Sequence, residues 1–367
     1  MLSYTARRFW PSIVFGFVGL VAALSASAQI YSVDQVDHQR EFVSRAQPKY
    51  PWLLREKGIT GEVLISAVID DQGHVQRCDV VGQTDRLFGE AGWNAVWQWS
   101  AKPALKEGKP VWCRKLFPIV FTLENADNET AAQQILLGFP PKGSGKLPPA
   151  YRYDFSPTLV DGVAPVYPYQ AWMADTSGDV DAVYAVDAQG RVVELTILKA
   201  SAPEFGQAFA AAVQRWHFKP ATNHDGPCLA LARVRFKFDL FVPSDGAETR
   251  LREQLKSGTS PLTPLSALDS PLRPLNQAAP LYPLSLVEDG LGGDAVIECI
   301  VDREGWVQLP RIISATREEF GWAAMAALRE WRFAVPTAKG KPVDALVRIP
   351  FKFAALSRNP AAAPAKP

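Results

Sequence analysis

The chain has 367 residues, with 39 Lys and Arg against 38 Asp and Glu, and a formal net charge of +1. This balance argues against a nucleic-acid-binding protein, which normally carries a strong basic excess. The hydrophobic share of 47% and the charged share of 21% are those of a folded chain rather than a disordered one. Its length gives room for roughly two to three domains.

The first 28 residues predict a secretory signal peptide. Two arginines precede an apolar run, and Ala26-Ser27-Ala28 follows it as a cleavage site. Cleavage there would release a chain that begins at Gln29 into the periplasm. The alternative is that residues 7–26 stay in place as an inner-membrane anchor, since a spanning helix needs about 20 residues. Pro11 and the small residues at the end of the run favour cleavage.

Export changes the interpretation of the cysteines, because disulfides form in oxidising compartments. Four cysteines allow three pairings, and the sequence does not choose among them. Four buried free thiols, acting as small apolar residues, are equally compatible with the sequence. The four are Cys78, Cys113, Cys228 and Cys299.

One pattern occurs three times in register along the chain. The copies start at Tyr50-Pro51, Tyr167-Pro168 and Tyr282-Pro283, at intervals of 117 and 115 residues. Each start is followed at fixed distances by Gly, Asp-x-x-Gly, Phe-Gly, Trp and Phe. In copy order these landmarks are Gly61, Gly178 and Gly293; Asp70, Asp187 and Asp302; Gly73, Gly190 and Gly305; Phe88, Phe205 and Phe320; Trp99, Trp216 and Trp331; Phe121, Phe238 and Phe353. Each copy is long enough for a small domain.

The landmarks predict the secondary structure of each copy. Residues after the first Gly alternate between apolar and polar, which indicates a strand, and Asp-x-x-Gly predicts a hairpin turn into a second strand. An apolar stripe at helical spacing then ends at the Trp, and a last strand follows. Ser201 with Glu204, and Thr316 with Glu319, predict capping boxes at the helix starts, whereas the first copy has Thr84 without the acidic partner.

We therefore expect an α+β fold of three tandem β-β-α-β domains, each a three-stranded antiparallel sheet with one helix packed on one face. The second face of each sheet must then stay wet or be covered by another element. Proline-rich composition predicts partly extended linkers between the domains, and Glu248 to Lys256 is a candidate short helix. The expected division is a signal peptide at 1–28, domains at 46–124, 164–242 and 279–356, linkers at 125–163 and 243–278, and a disordered tail at 357–367.

Nothing in the sequence predicts an enzyme, a cofactor or a metal site. No two of the four histidines lie at metal-ligand spacing, and no nucleophile, phosphate-binding or dinucleotide-binding motif is present. The Asp of each Asp-x-x-Gly is one carboxylate in a tight turn, too few oxygens for calcium. No small-molecule substrate is evident either.

The last strand of each copy is the candidate binding element. Two of the three strands in so small a sheet are edges with unpaired backbone groups, and an extended peptide can add to such an edge. The alternative is that charged side chains merely protect these edges. The candidate partner-binding residues are Trp112, Arg114, Leu116, Leu229, Arg233, Arg235, Lys237, Leu346, Arg348 and Lys352.

Taken together, Tyr-Pro, Gly-x-Val, the Asp-x-x-Gly hairpin, a helix ending in Trp-x-Phe and the final strand resemble the C-terminal domain of TonB-family energy transducers. The first copy departs most, since Trp99-Ser100-Ala101 lacks the aromatic residue after Trp. The resemblance implies a periplasmic domain whose last strand pairs with an extended peptide of an outer-membrane transporter, with the Tyr-Pro segment near the contact. Carried over by position, these strands are Trp112 to Leu123, Leu229 to Phe238 and Ala345 to Phe353.

The resemblance also implies inner-membrane motor proteins as possible partners, but two features of full transducers are missing. Ser12 is followed four residues later by Gly16 instead of the His of their membrane helix, and no Pro-rich spacer precedes the first copy. We expect an exported protein that binds outer-membrane transporters or other envelope proteins in TonB-linked transport. The alternative is a periplasmic adaptor that binds peptides without transmitting force, and an enzyme is the least favoured interpretation.

Overall fold

A computed structural model describes residues 29–37, 41–123, 129–140, 147–239, 247–258 and 262–356. The predicted signal peptide at 1–28, its alternative as an anchor at 7–26, and the predicted tail at 357–367 lie outside these residues. We call residues 29–123 unit one, 147–239 unit two and 262–356 unit three.

Each unit contains three long antiparallel strands and one long helix. The strands are β3 (Gly61–Ile69), β4 (Val75–Gln83) and β7 (Lys109–Phe121) in unit one; β9 (Gly178–Val186), β10 (Val192–Ala200) and β14 (Ala230–Phe238) in unit two; and β17 (Gly293–Val301), β18 (Val307–Ala315) and β22 (Ala345–Phe353) in unit three. The helices are α2 (Arg86–Trp97), α5 (Pro203–Val213) and α7 (Glu318–Leu328). In every unit the first strand lies in the centre and the last strand lies on one side of it.

Shorter elements complete the fold. The short strands are β1 (Ile30–Ser32), β2 (Phe42–Ser44), β5 (Ser100–Ala101), β6 (Ala104–Lys106), β8 (Thr158–Asp161), β11 (His217–Lys219), β12 (Ala221–Asn223), β13 (Gly226–Cys228), β15 (Thr263–Pro264), β16 (Pro274–Asn276), β19 (Arg332–Phe333), β20 (Thr337–Ala338) and β21 (Lys341–Pro342). The remaining α-helices are α1 (Trp52–Glu56), α3 (Glu129–Leu137), α4 (Tyr169–Met173) and α6 (Ala247–Ser257), and 3₁₀ turns lie at Val33–Gln35, Pro149–Tyr151, Leu265–Ala267 and Leu284–Leu286.

The glycine of the hairpin turn is required for two reasons in every unit. In unit three, Gly305 has a φ of +88°, and a Cβ at this position would lie 2.1 Å from the carbonyl oxygen of Phe333. That close approach exists because the Phe333 N–H donates to the Gly305 carbonyl at 2.8 Å, which fastens the hairpin to the strand after the helix. Gly73 and Gly190 repeat the positive φ and the close carbonyl.

Aromatic landmarks fix the entry of each unit. The Tyr50 hydroxyl donates to the carbonyl nine residues ahead, and its ring packs edge-on against Phe88 and Phe121. Tyr167 and Tyr282 donate in the same way in units two and three. The Trp indole N–H also donates to the entry backbone in all three units, at 2.7 to 2.9 Å. These bonds explain why every copy has a Tyr at its start and a Trp at the end of its helix.

The predicted capping boxes are wrong. The helices α5 and α7 begin after Ala202 and Arg317, neither of which makes a side-chain cap. The hydroxyls of Ser201 and Thr316 instead accept the N–H of Asp179 and Asp294, the second residue of the central strand. The strand N–H is the donor that binds each hydroxyl, because it lies beside that hydroxyl once the hairpin is closed.

The repeat begins earlier in the chain than its sequence landmarks indicate. Thirteen residues before each Tyr stands an Asp whose N–H donates at 2.8 Å to a residue after the helix of its unit: Asp37 to Leu105, Asp154 to Thr222 and Asp269 to Thr337. Short strands β2, β8 and β16 follow, and they pair with β5, β11 and β19. The segments expected to be linkers therefore carry the first elements of units two and three, and α6 covers the predicted helix at Glu248 to Lys256.

The three units form one body rather than three separate domains. Helices α5 and α7 pack on each other, and units two and three share a single apolar core. The helix α3 places Leu137 in that core together with Leu64 and Leu116, from the second face of the unit one sheet. Leu251 of α6 covers Ile300 on the second face of the unit three sheet. The α+β class predicted from the sequence is confirmed. The structure adds that the units pack against one another.

The hairpin glycine gives a direct test of the fold. We expect Gly305→Ala to lower the free energy of unfolding by roughly 2–5 kcal/mol, because it combines a left-handed backbone with a carbonyl clash. Gly340→Ala is the matched control, since Gly340 has a φ of +73° but no atom within 4 Å of the added Cβ. Urea unfolding would contradict this account if both variants lost the same stability.

Candidate functional site

The final strand of unit two presents an exposed edge. Strand β14 pairs with β9 along its whole length, and Arg235 lies opposite Asp181. The Arg233 N–H donates to the carbonyl of Gly138 at 3.0 Å, on the side away from β9. Backbone groups alternate in direction along an antiparallel strand, so the N–H groups of Arg235 and Lys237 also point away from β9. Among the described residues, neither of these two N–H groups has a partner.

A proline interrupts the equivalent edge in the other two units. The register places Pro118 opposite Leu64 and Pro350 opposite Val296, at the position that Arg235 holds in unit two. Proline has no N–H, so an added strand would meet no donor in the middle of these edges. Unit two is the only one of the three whose final strand keeps its N–H at this position.

In units one and three, the chain itself covers the beginning of the same edge. Strand β1 pairs in parallel with β7, with Ile30 opposite Trp112 and Ser32 opposite Arg114. Strand β15 pairs in parallel with β22 at the corresponding positions, Ala345 and Leu346. The expectation that all three final strands are open is therefore wrong at the beginning of β7, which β1 covers, and at the beginning of β22, which β15 covers.

The predicted partner-binding side chains fall into two groups. Trp112, Arg114 and Leu116 of unit one are buried, and Arg114 bonds to Asp161 and Glu330. Arg233, Arg235, Lys237, Arg348 and Lys352 are exposed, whereas Leu229 and Leu346 are half-buried.

The exposed arginines also have partners on their own sheets. Arg233 forms a two-pronged ion pair with Asp181, which Arg235 approaches at 3.7 Å. Arg348 donates to the buried Glu298 at 2.8 Å. Burial alone would raise the pKa of Glu298, but its bonds to Arg348 and Arg311 outweigh burial and hold that pKa below its usual value.

The six residues of the Tyr-Pro pairs have structural contacts in every unit. Pro168 and Pro283 are buried, and each proline immediately precedes the short helical turn at the unit's entry. Burial raises the pKa of Tyr167 to about 12, consistent with a hydroxyl that serves as a donor. The pairs Tyr50-Pro51, Tyr167-Pro168 and Tyr282-Pro283 therefore stabilise the start of each unit. The candidate binding residues that remain are those of the final strands.

A cleft of about 760 Å³ lies along the exposed edge of β14. Its walls come from all three units: Arg235 and Lys237 of β14, Arg77 and Gln83 of β4, and Trp306 of the unit three hairpin. Trp97 stacks on Trp93 at 5.2 Å and remains 40% exposed on the wall. An extended segment added to β14 would therefore contact side chains of unit one and unit three as well.

The comparison with known families decides the classification. The family described as the Gram-negative bacterial TonB protein C-terminal matches residues 46–123, 163–240 and 278–355, which is more than half of the chain. The chain belongs to this family. Membership confirms the resemblance found in the sequence and the prediction that the chain is not an enzyme.

Individual relatives of this TonB C-terminal family resemble shorter parts of the chain. Protein TonB of Vibrio cholerae is 30% identical over 90 residues, which cover 24% of this chain and 37% of the relative. The chain thus spans little more than a third of that curated relative's length. The solution structure of the Pseudomonas aeruginosa TonB C-terminal domain is 24% identical, with a TM-score of 0.21, and the match covers 25% of this chain and 93% of that one.

The TonB C-terminal units are joined by a largely buried ionic cluster. The Glu330 carboxylate, at the end of the unit three helix, accepts from Arg114 of unit one at 3.0 Å and from Arg215 of unit two at 2.7 Å. Burial by itself would raise the pKa of Glu330, but the two guanidinium groups outweigh it and lower that pKa. Glu330 and Arg215 each directly precede the repeated Trp, so one repeat position carries opposite charges in neighbouring units.

Stacking adds a second junction between units one and three of this TonB family member. The Arg332 guanidinium lies 3.8 Å from the ring centre of Trp112 and 5.5 Å from that of Trp306. Both tryptophans are buried and are specific to their own copies. Neither tryptophan has a counterpart in the other two copies, and their meeting could not be inferred from the sequence.

Other chemistry is sparse in the described part of the chain. All four cysteines are free thiols, and burial raises the pKa of Cys299 to about 12. The described residues contain no group of three side chains suited to a metal ion. They also include no helix that is both long and apolar enough to cross a bilayer.

Glu330→Gln tests the ionic junction. Removing one partner of a buried charge cluster is expected to cost about 3–5 kcal/mol of unfolding free energy at neutral pH. Because the folded-state pKa of Glu330 is lowered, its contribution is present above the ordinary value of 4.5 and is lost as the pH falls through the folded value. The variant should therefore lose less stability on acidification than the wild type.

The control for this measurement is Glu90→Gln, which removes an exposed helical pair with Arg86 and should change stability by well under 1 kcal/mol. Urea unfolding across the acid range would contradict the role of the junction if Glu330→Gln kept the acid dependence of the wild type.

Proposed function

We propose that this TonB-family chain is an exported envelope protein that binds an extended segment of an outer-membrane transporter, or of another envelope protein, along β14 of unit two. The observation that carries the proposal is the N–H of Arg235, at the position where units one and three have proline. A strand added to this edge would gain main-chain hydrogen bonds that the other two edges do not offer.

The surroundings of β14 support the same assignment. The side chains of Arg233, Arg235 and Lys237 lie exposed on one face of the strand. The second sheet face is covered by α3 in unit one and by α6 in unit three, whereas these β14 side chains remain accessible to a partner. The beginning of the edge is already bonded to Gly138, so binding would extend from Arg235 towards Asp239.

Two modes of action follow, and one observation favours the second. A transducer would keep residues 7–26 in the inner membrane and transmit force from motor proteins. The first described strand already pairs at Ile30, so at most about 15 Å of extended chain would separate such an anchor from the body. We therefore favour a periplasmic adaptor over a force-transmitting transducer, with transport across the outer membrane as its setting.

Site-specific photo-crosslinking tests the docking edge. A photoreactive phenylalanine derivative placed at Lys237 should capture an envelope protein in cells, whereas the same group at Lys352, the equivalent position in unit three, should not. Arg235→Pro should weaken capture from position 237 at least about tenfold, because it removes a central donor and adds ring bulk. Mass spectrometry of the adduct distinguishes a transporter from another envelope protein.

Arg235→Ala is the matched control, since it removes the charge but keeps the N–H. Capture by this variant should stay much closer to that of the wild type than capture by Arg235→Pro. Equal capture from positions 237 and 352, or capture that survives Arg235→Pro, would refute docking on β14.

The mode of action is tested by the N-terminus of the mature protein. We expect a chain that begins at Gln29 and leaves the cell with the periplasmic fraction. A chain that retains residues 7–26 and stays in the membrane fraction would instead support the transducer.

A further inference from the structure

The cleft beside β14 contains an unusual concentration of unpartnered polar atoms. Five buried side-chain nitrogen or oxygen atoms have no hydrogen-bond partner among the described residues, and three of them belong to residues that line this cleft. They are Nη1 of Arg77, Nε of Arg329 and Oε1 of Gln83. Buried polar groups are normally bonded, so the two arginine nitrogens are donors that a bound acceptor would complete, whereas Oε1 of Gln83 lies against Gly89 of α2.

Arg77 is the most informative of the three residues. It is 8% exposed, so more than nine-tenths of it is buried, and it projects from β4 of unit one. Its Nε donates to Asp79 at 2.9 Å. Its Nη1 has no acceptor among the described residues. Arg329 of unit three also donates to Asp79, so one carboxylate serves two guanidinium groups.

Other acidic groups near the pair do not supply the missing acceptor. Glu248 of α6 lies 4.0 Å from Arg329, beyond hydrogen-bond distance. Burial raises the pKa of Glu248, while Arg329 and Arg77 act in the opposite direction. Asp302 is already bonded to the backbone of its own turn and to Gln308. The two guanidinium groups therefore retain donors for one more anionic acceptor.

We infer that the cleft selects an extended peptide with an acidic side chain, whose carboxylate bonds to Arg77 across from the β14 edge. This inference rests on the proposed function, since the peptide backbone would lie on β14. It goes further, because Arg77 belongs to a different unit from the docking strand. The site thus requires at least two repeats, and the second repeat determines which peptides bind.

The probe is a random-peptide display library selected on the full-length protein. Selected peptides should share an acidic residue at one fixed place, and replacing it by its amide should weaken binding about tenfold or more, since charge-assisted bonds exceed neutral ones. In Arg77→Lys, which retains a cation beside Asp79 but loses the second arm of the guanidinium, the preference for the acid peptide over the amide peptide should shrink severalfold. Arg311→Lys, outside the cleft on unit three, should preserve the difference.

The outcomes separate the two proposals. Selected peptides that bind Arg235→Pro as well as the wild type, or the selection of no peptide at all, would overturn docking on β14 and this inference with it. Peptides that require the Arg235 N–H but show no acidic preference would overturn only the role of Arg77. An acidic preference that is undiminished in Arg77→Lys would do the same.

Discussion

An exposed sheet edge carries backbone donors that must be bonded, removed or left for a partner. The three repeats meet this constraint in different ways. Unit one covers the start of its edge with β1, and unit three does so with β15. Both remove the next central donor with a proline. Among the described residues, the edge of unit two has one backbone hydrogen bond, from Arg233 to Gly138, and it keeps its central donor at Arg235. The final strand is therefore covered at its start and interrupted by proline in two copies, and keeps its central donor in one.

The packing of the units places the open edge of unit two in a cleft. Helices α3 and α6, which lie between the repeats, cover the sheets of units one and three, while the Glu330 cluster joins all three units. A cleft then forms where the open edge of unit two faces β4 of unit one and the unit three hairpin. The duplicated domain has in this way become a single body in which two copies shape the surroundings of the third.

Much of each unit was predictable because its landmarks depend on local geometry. The Asp-x-x-Gly turn, the alternating strand and the apolar helix stripe are short-range patterns, and the structure contains all of them. The predicted capping boxes do not form because the hydroxyls of Ser201 and Thr316 accept the N–H groups of Asp179 and Asp294, which lie in the central strand of each unit. A single sequence gives no measure of such long-range competition.

The arrangement of the units could not be predicted for the same reason. The contacts of Arg332 with Trp112, and of Arg114 with Glu330, join residues more than 200 positions apart. One decisive signal was present and was missed: the alignment of the copies places Pro118 and Pro350 against Arg235. Its meaning depends on knowing that the N–H at this position points away from the sheet, which only the register establishes.

The central claim is that the edge of unit two is open in the isolated protein, and amide hydrogen exchange measured by NMR tests it most directly. The N–H groups of Arg235 and Lys237 should exchange rapidly, while those of Val234 and Phe236, which face β9, should be strongly protected. Equal protection of all four amides would mean that the edge is already covered, and would contradict the account.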